Sequence, residues 1–407
     1  MVGTVDTMAS QPYEVKWGIL ATGGIATTFC KDILCNPATR DVHDVKHTIV
    51  AAASSTSSAR ASSFLHEIKA PSTAKAYGSY HELVADPGID VIYVATPHSH
   101  HFQNAMLALQ AGKHVLCEKA LTVNAAQARK LFETAKEKNL FFMEAVWTRY
   151  FPLSVKIREL VKGGEIGVVH RVFADLSIAE AKDDGSLSFP TSSRMVNPDL
   201  AGGALLDLGI YALTWVFQIL YHCQARAPAD REVPTVLAAV QKYEPTGVDE
   251  MTSMILQFPQ NKSMGIATTG MRVATQPDKH GEASEAEAPS IRIQGTKGEI
   301  QVFGPAYRPL RYRVLKNANR EGEFETVDCP IPKDPERDGW GHGMAWEADE
   351  VGRCLKAGRL ESEGLDWRES GVIMDVMDEI RRQGGLKYSE LIETDVFDKN
   401  SPLNGKA

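Results

Sequence analysis

The string Cys117-Glu118-Lys119-Ala120 puts a lysine directly after a short apolar run. Farther along, Asp207 and Tyr211 lie four residues apart in Asp207-Leu208-Gly209-Ile210-Tyr211. If 207–220 is a helix, that spacing sets both side chains on one face. A tyrosine, with an ordinary pKa of about 10, accepts a proton at neutral pH only when its phenolate is stabilised. A nearby ammonium does that. Lysine, tyrosine and aspartate together could therefore take a proton from a hydroxyl. Each residue alone also has a plainer role. Lys119 could be a surface residue, Asp207 an acid at the positive end of a helix, and Tyr211 a half-buried aromatic. A third string, Thr96-Pro97-His98-Ser99-His100-His101, gathers three histidines. Neighbouring histidines in a loop point in different directions, and no carboxylate partners them locally, so no metal site is expected.

A glycine-rich turn stands near the start, in Ala21-Thr22-Gly23-Gly24-Ile25-Ala26, after the apolar run 15–20. Such a turn lets backbone approach a pyrophosphate, and the following helix offers free N–H groups. The usual pattern is G-x-G-x-x-G/A; here Ala21 replaces its first glycine. By itself the string equally fits a tight strand-to-helix turn. The second strand, 48–53, ends in Ser54-Ser55-Thr56-Ser57-Ser58-Ala59-Arg60. NAD enzymes place an acid at that strand end to hold the ribose 2′-hydroxyl. None is present, and small hydroxyls with Arg60 suit a 2′-phosphate instead. The same serines also suit a helix cap.

The elements that must position these groups alternate. Apolar runs at 15–20, 48–53, 91–95, 114–117 and 140–144 alternate with helical patterns from just after Ala26 to about 34 and at about 58–67, 102–112 and 124–138. Continuous apolar strands separated by helices predict a doubly wound parallel sheet, a Rossmann-type α/β domain. The histidine and lysine strings then sit at the carboxyl ends of adjacent strands, where ligands bind in such sheets. Beyond 151 a helix (153–162) precedes a longer strand (168–178). Strand-like runs, among them 253–258 and 263–268, then crowd 235–312. That predicts a C-terminal α+β domain with a large, mostly antiparallel sheet. Amphipathic helices are predicted at 344–358 and 367–383, and an acidic mobile loop at 277–289. The division expected is a loose leader at 1–14, a nucleotide-binding domain at 15–150, a substrate domain at 151–395 and a loose tail at 396–407.

The length of 407 residues suits two domains. A net charge of −8 argues against general affinity for nucleic acid or anionic membrane. The six cysteines show no zinc or redox spacing and read as reduced thiols. No secretory signal or transmembrane run is evident, so a cytoplasmic location is expected.

The strings at 21–26, 96–101, 118–119 and 202–211 together resemble the glucose-fructose oxidoreductase/inositol dehydrogenase superfamily. Glu144-Ala145-Val146-Trp147-Thr148-Arg149-Tyr150-Phe151-Pro152 narrows the resemblance to the branch of dimeric dihydrodiol dehydrogenases and NADP-dependent D-xylose 1-dehydrogenases. Similarity runs from about Lys16 to about Leu386. With Ala120 in place of the usual proline, the whole looks most like the fungal D-xylose 1-dehydrogenases.

The resemblance implies that Lys119 matches an essential lysine, Tyr211 a general acid/base, and Asp207 their aspartate partner. It implies an NADP site built from Thr22, Gly23, Gly24 and Ile25 at the first turn. Ser54, Ser55, Thr56 and Arg60 would follow at the second strand end. Thr96, Pro97, His98, His101, Glu118, Lys119 and Arg149 would lie nearer the nicotinamide. Trp147, Arg149 and Phe151 would line the substrate, with Trp147, Tyr150 and Phe151 stacking on its ring. Arg194 and Asn197, just before Gly202, are further substrate candidates; capping or surface pairing suits them equally.

The activity implied is hydride transfer from the anomeric carbon of D-xylose, or another aldose, to NADP⁺, giving a lactone. A trans-dihydrodiol dehydrogenase is an alternative. So is an NADP-sensing regulator, since the superfamily includes a galactose-pathway repressor. A pure sensor need not keep Lys119 and Tyr211, and both are present. A homodimer through the faces of the C-terminal sheets is expected from the resemblance alone.

Overall fold

The computed structural model describes residues 11–275, 288–317 and 324–405. Most of the acidic stretch at 277–289 and most of the leader at 1–14 fall outside them. The first strand, β1, is Tyr13–Leu20, so the leader ends earlier than expected. The turn after it leads into α1, Gly24–Ile33. β2 (Val45–Ala53), α2 (Ser58–Glu67), β3 (Lys75–Tyr77), α3 (Tyr80–Ala85) and β4 (Val91–Val94) follow. α4 (His101–Gln110), β5 (His114–Glu118), α5 (Ala125–Glu137) and β6 (Phe142–Ala145) complete the series. All six strands pair in parallel, in the order β3-β2-β1-β4-β5-β6. Val15, Trp17, Ile19, Val91–Val94 and Val115–Cys117 are completely buried, as strands covered on both faces must be. The strand order reverses between β1 and β4, and their carboxyl ends open the crevice where such sheets bind ligands.

The second sheet has eight strands. β7 (Val169–Ser177) is followed, after α7 (Ile210–Leu220), by β8 (Thr235–Lys242), β9 (Asp249–Phe258) and β10 (Ser263–Gly270). β11 (Ile291–Gly295), β12 (Gly298–Phe303), β13 (Arg311–Lys316) and β14 (Glu325–Asp328) extend it. The order is β14-β13-β12-β11-β7-β10-β9-β8, antiparallel except where β7 meets β10. β9 alternates buried and exposed residues, the mark of a sheet with one open face. α7 covers one side of β7 and β10, and α6 (Pro152–Lys162) packs against α7. α7 runs so close to β10 that a side chain at Gly265 would overlap Val216. The run Pro198–Leu220 is apolar enough to cross a membrane by composition, yet 94% of its most apolar 18-residue window is buried in this core.

The chain does not divide as expected. α8 (Ala345–Lys356) returns from the second sheet to cover β1 and β2, where Gly352 meets Val45 and Val15. A parallel sheet needs both faces covered, and this helix supplies part of one face of the first domain. The approach to α8 is tied down by Asp32 at the end of α1. Its carboxylate accepts the backbone N–H groups of His342 (2.7 Å), Gly343 (2.6 Å) and Met344. Asp349 on α8 pairs with Arg40 through two 2.8 Å bonds. α9 (Trp367–Gly384) and α10 (Glu390–Glu393) finish the chain's helices. The tail is not loose: Ser401, Leu403 and Asn404 are buried, and Asn104 on α4 donates to Leu403 O (2.9 Å) and Asn404 Oδ1 (3.0 Å). A segment of low hydropathy is held here by hydrogen bonds, which a pattern of apolar residues does not reveal. All six cysteines are unpaired.

Asp32→Ala leaves three backbone donors without their acceptor. A loss of about 3 kcal/mol is expected, from the cost of unsatisfied buried donors. Urea unfolding measures it, and an unchanged midpoint would show that the anchor is dispensable.

Candidate active site

The site is assembled from loops at the carboxyl edge of the parallel sheet and from the chain that crosses above it. At the first turn Ala21 holds φ 85°, in the left-handed region where glycine is the usual choice. Gly23 and Gly24 have open space where side chains would stand, and Gly23 caps α1 without a side-chain hydrogen bond. The first N–H groups of α1 are thus left for a ligand, with room beside them. Thr22 and Ile25 flank this turn, half-buried. The Ser54 and Thr56 hydroxyls pair at 2.9 Å at the end of β2, and Ser57 caps α2. Ser55 is half-buried, and Arg60 stands exposed on the first turn of α2. No acidic side chain occurs from Ser54 through Arg60. Thr96, just past the end of β4, has a buried hydroxyl without a partner among the described residues. An open glycine turn, free helix N–H groups and an orphaned hydroxyl fit a bound dinucleotide.

Lys119 emerges from the end of β5, and the Lys119–Ala120 peptide is cis. Its ammonium reaches across to the second domain, donating to Asp207 O (2.8 Å) and Asp207 Oδ1 (2.9 Å). Arg194 lies 3.1 Å from the same Oδ1. Burial alone would raise the Asp207 pKa; the Lys119 ammonium and Arg194 outweigh it and hold the carboxyl well below the usual range. Asp207 does not begin an ordinary α-helix. It lies in a wide π-helical turn, Leu205–Gly209, that feeds α7. The Asp249 carboxylate accepts the Leu205 N–H at 2.6 Å and fixes that turn. A side chain at Gly203 (φ 129°) would overlap Asp249, and one at Gly202 would crowd Arg194 O and Asn197, which explains both glycines. Asn197 uses its side-chain oxygen to accept Asp199 N (2.9 Å), so it shapes the turn by capping.

Tyr211, in the first turn of α7, lies with its ring 4.9 Å from the Lys119 ammonium. Its hydroxyl oxygen accepts the indole N–H of Trp147 at 2.6 Å. Burial pushes the Tyr211 pKa well up, Glu118 adds to the rise, and the Trp147 hydrogen bond opposes it. Glu118 accepts the Tyr93 hydroxyl and Lys119 N (3.3 Å), and burial pushes it up to about 7. Lysine, aspartate and tyrosine therefore meet at the crevice edge, as a proton-transfer site needs.

Other residues proposed from the sequence are more enclosed. His101 braces two loops, its ring nitrogens 3.0 Å from Ala120 O and 2.8 Å from Thr96 O, and it is 1% exposed. His98, behind the half-buried Pro97, lies 3.3 Å from Ala201 O, and burial lowers its pKa to about 3. Both rings brace the loops around the site, where His98 feels the charges of Asp207, Lys119 and Arg194, and His101 that of Lys119. Phe151 does not line the crevice: it is 1% exposed and packs between Trp147 and Trp346. Trp147 is itself 2% exposed, backed by His342, Phe151 and Tyr307, so it has little face to offer a sugar ring.

Arg149 is the clearest correction. It is completely buried, bonded to Glu369 Oε1 (2.7 Å) and Gly364 O (2.7 Å). Its charge satisfies a buried carboxylate rather than a ligand. Sequence reasoning missed Tyr307 and His342, whose loops reach the site from the second sheet and from the approach to α8. Thr148 Oγ1 and Trp215 Nε1 hold the first loop by donating to Tyr307 O and Ala306 O. Nothing in their local strings signals that role.

Residues 15–146 match the oxidoreductase family with an NAD-binding Rossmann fold, and residues 154–301 match the GFO/IDH/MocA C-terminal domain. The chain is 64% identical to a D-xylose 1-dehydrogenase (NADP(+)) of Hypocrea jecorina over 98% of its own length and 99% of that protein's. It is 33% identical to the human trans-1,2-dihydrobenzene-1,2-diol dehydrogenase, over 92% of this chain and 98% of the other. A solved NAD binding oxidoreductase from Klebsiella pneumoniae shares the fold, with a TM-score of 0.72 at 20% identity, covering 91% of this chain and 97% of that one.

Arg149→Ala leaves Glu369 buried without its main partner. A loss of about 3–5 kcal/mol is expected, read by urea unfolding. A variant of normal stability with weakened dinucleotide binding would return Arg149 to the ligand site.

Proposed function

Because this chain belongs to the GFO/IDH/MocA oxidoreductase family, we propose that it oxidises the anomeric hydroxyl of D-xylose with NADP⁺ and releases the sugar lactone. The observation that carries this reading is the meeting of Lys119, Asp207 and Tyr211 at the carboxyl edge of the sheet that also carries the glycine turn, in a chain 64% identical to a D-xylose dehydrogenase along its length. The diol dehydrogenases are half as similar.

When bound, NADP⁺ supplies the nicotinamide C4 that accepts the hydride leaving C1. Tyr211 takes the anomeric hydroxyl proton as its phenolate, so that O–H and C1–H break while C1=O forms. The Lys119 ammonium lies against the tyrosine ring and favours the phenolate by its charge. Asp207 holds that ammonium in place, and Arg194, 60% exposed, is free to reach a sugar hydroxyl from the same carboxylate. Serines and Arg60 in place of an acid at the end of β2 support a 2′-phosphate, hence NADP rather than NAD.

The protein acts as a homodimer in this proposal. On the open face of the eight-stranded sheet, Leu237, Ile255, Ile266 and Phe173 sit opposite one another across four strands. Leu237 is 68% and Ile255 39% exposed. An apolar row of this kind on a flat face suits a second copy of the chain. Six unpaired thiols suit a reducing compartment, and the cytoplasm is the setting proposed.

Absorbance at 340 nm should rise when the protein meets NADP⁺ and D-xylose, and rise less with NAD⁺ or a dihydrodiol. Lys119→Ala and Tyr211→Phe should bind NADPH normally while turnover falls by about 10²–10⁴; near-normal rates in both would reject the assignment. Arg60→Ala should weaken NADP⁺ roughly tenfold and NAD⁺ hardly at all; equal losses would remove Arg60 from the phosphate site. Sedimentation at micromolar protein should give a dimer, and a monomer would refute that part.

A further inference from the structure

The Tyr211 oxygen has one hydrogen-bond partner among the described residues, and it is not the lysine. Lys119 spends two N–H groups on Asp207 and faces the tyrosine ring rather than its hydroxyl. The partner is the indole N–H of Trp147, at 2.6 Å. That N–H has no other acceptor among the described residues, and the indole cannot swing away. It lies against His342 (ring centroids 5.1 Å apart, 22° between planes), Phe151 (5.5 Å) and Tyr307 (5.9 Å). Two residues on, Arg149 ties the same turn to Glu369.

We propose that Trp147 is the positioning residue for the proton acceptor: its indole N–H holds the Tyr211 oxygen, stabilises the phenolate, and leaves a lone pair of that oxygen to take the proton of the sugar hydroxyl. This deepens the dehydrogenase reading and rests on it for the identity of the substrate. Indole N–H is a donor only, so Tyr211 cannot direct its own proton to it. The Tyr211 oxygen has no other partner among the described residues, so its remaining lone pairs are open to the hydroxyl proton of a bound sugar. A donor that bonds the charged form favours that form, and Trp147 is the leading influence against the rise that burial imposes on Tyr211. The charged groups around the tyrosine come from several elements: Glu118 and Lys119 from β5, Asp207 from the π turn, and Glu347 from α8. Three of those four are acids that disfavour a phenolate, so a neutral donor at the oxygen is of particular value.

The test replaces Trp147 by its benzothiophene isostere, which exchanges the N–H for sulfur and keeps the shape. Trp147→Phe serves as a second variant. Tyrosine is labelled with ¹³C at Cζ, and the Tyr211 resonance is assigned with Tyr211→Phe. In protein loaded with NADP⁺, the Tyr211 titration should move up by about one pH unit in the isostere. The acid limb of kcat for D-xylose should move with it. Below the limb kcat should fall roughly tenfold, above it kcat should recover, and KM should stay within about twofold. A merely structural role would lower kcat at every pH and leave the limb in place. A Tyr211 titration that does not move overturns the proposal, whatever the rates. A titration that moves in a protein inert toward sugars supports the hydrogen bond and rejects the sugar dehydrogenase reading instead.

Discussion

The pairing of Lys119 with Asp207 joins the two halves of the protein at the one place where chemistry needs both. The ammonium comes from the last turn of a parallel strand, and the carboxylate from a π turn in the second domain. Neither side chain is more than 11% exposed. A bare lysine or aspartate buried to that degree would be costly, and pairing makes the burial tolerable. The contact also sets where Tyr211 stands, because Asp207 and Tyr211 ride on the same helical segment. Much of the surrounding architecture serves that placement. Asp249 ties down the π turn, Gly202 and Gly203 let the chain pass close beneath it, and Arg194 shares the carboxylate.

Around this bond lies a wall of buried acids and aromatics. Glu118 and Glu144 are both pushed up to about 7 by burial, and Glu347 well above the ordinary glutamate range. Glu347 has neither oxygen satisfied among the described residues. Where they ionise, Glu118 and Glu347, together with the charged Asp207, oppose the formation of a phenolate. The positive charge of Lys119 and the indole donor of Trp147 are therefore the counterweights that let a tyrosine act as a base. Arg149 acts at one remove, by fixing the turn from which the indole projects.

The architecture was legible where strands are buried on both faces. The runs at 15–20, 91–95 and 114–117 are apolar throughout because helices cover them on either side, and they became β1, β4 and β5. β3 was missed: Lys75-Ala76-Tyr77 is a three-residue edge strand with no apolar run. The return of α8 onto the first sheet was not legible either, since an amphipathic helix does not say which surface it covers. In the site, Lys119, Asp207 and Tyr211 stood out as strings, but their meeting did not, because 88 residues separate the lysine from the aspartate. Arg149 was misplaced for the same reason. A charged residue beside aromatic ones looks like a ligand group until its partner, Glu369, is seen 220 residues away. Trp147 was picked out as a stacking surface, whereas its faces are covered and its N–H points at the tyrosine.

The central claim is that C1 of a sugar gives its hydride to NADP⁺ while Tyr211 takes the hydroxyl proton. D-xylose carrying deuterium at C1 tests it most directly. With NADP⁺ and the wild-type protein, the deuterium should appear at C4 of the reduced nicotinamide, and the lactone should carry none at C1. Reduced cofactor free of deuterium, or labelled sugar recovered unchanged from protein saturated with NADP⁺, would contradict the account.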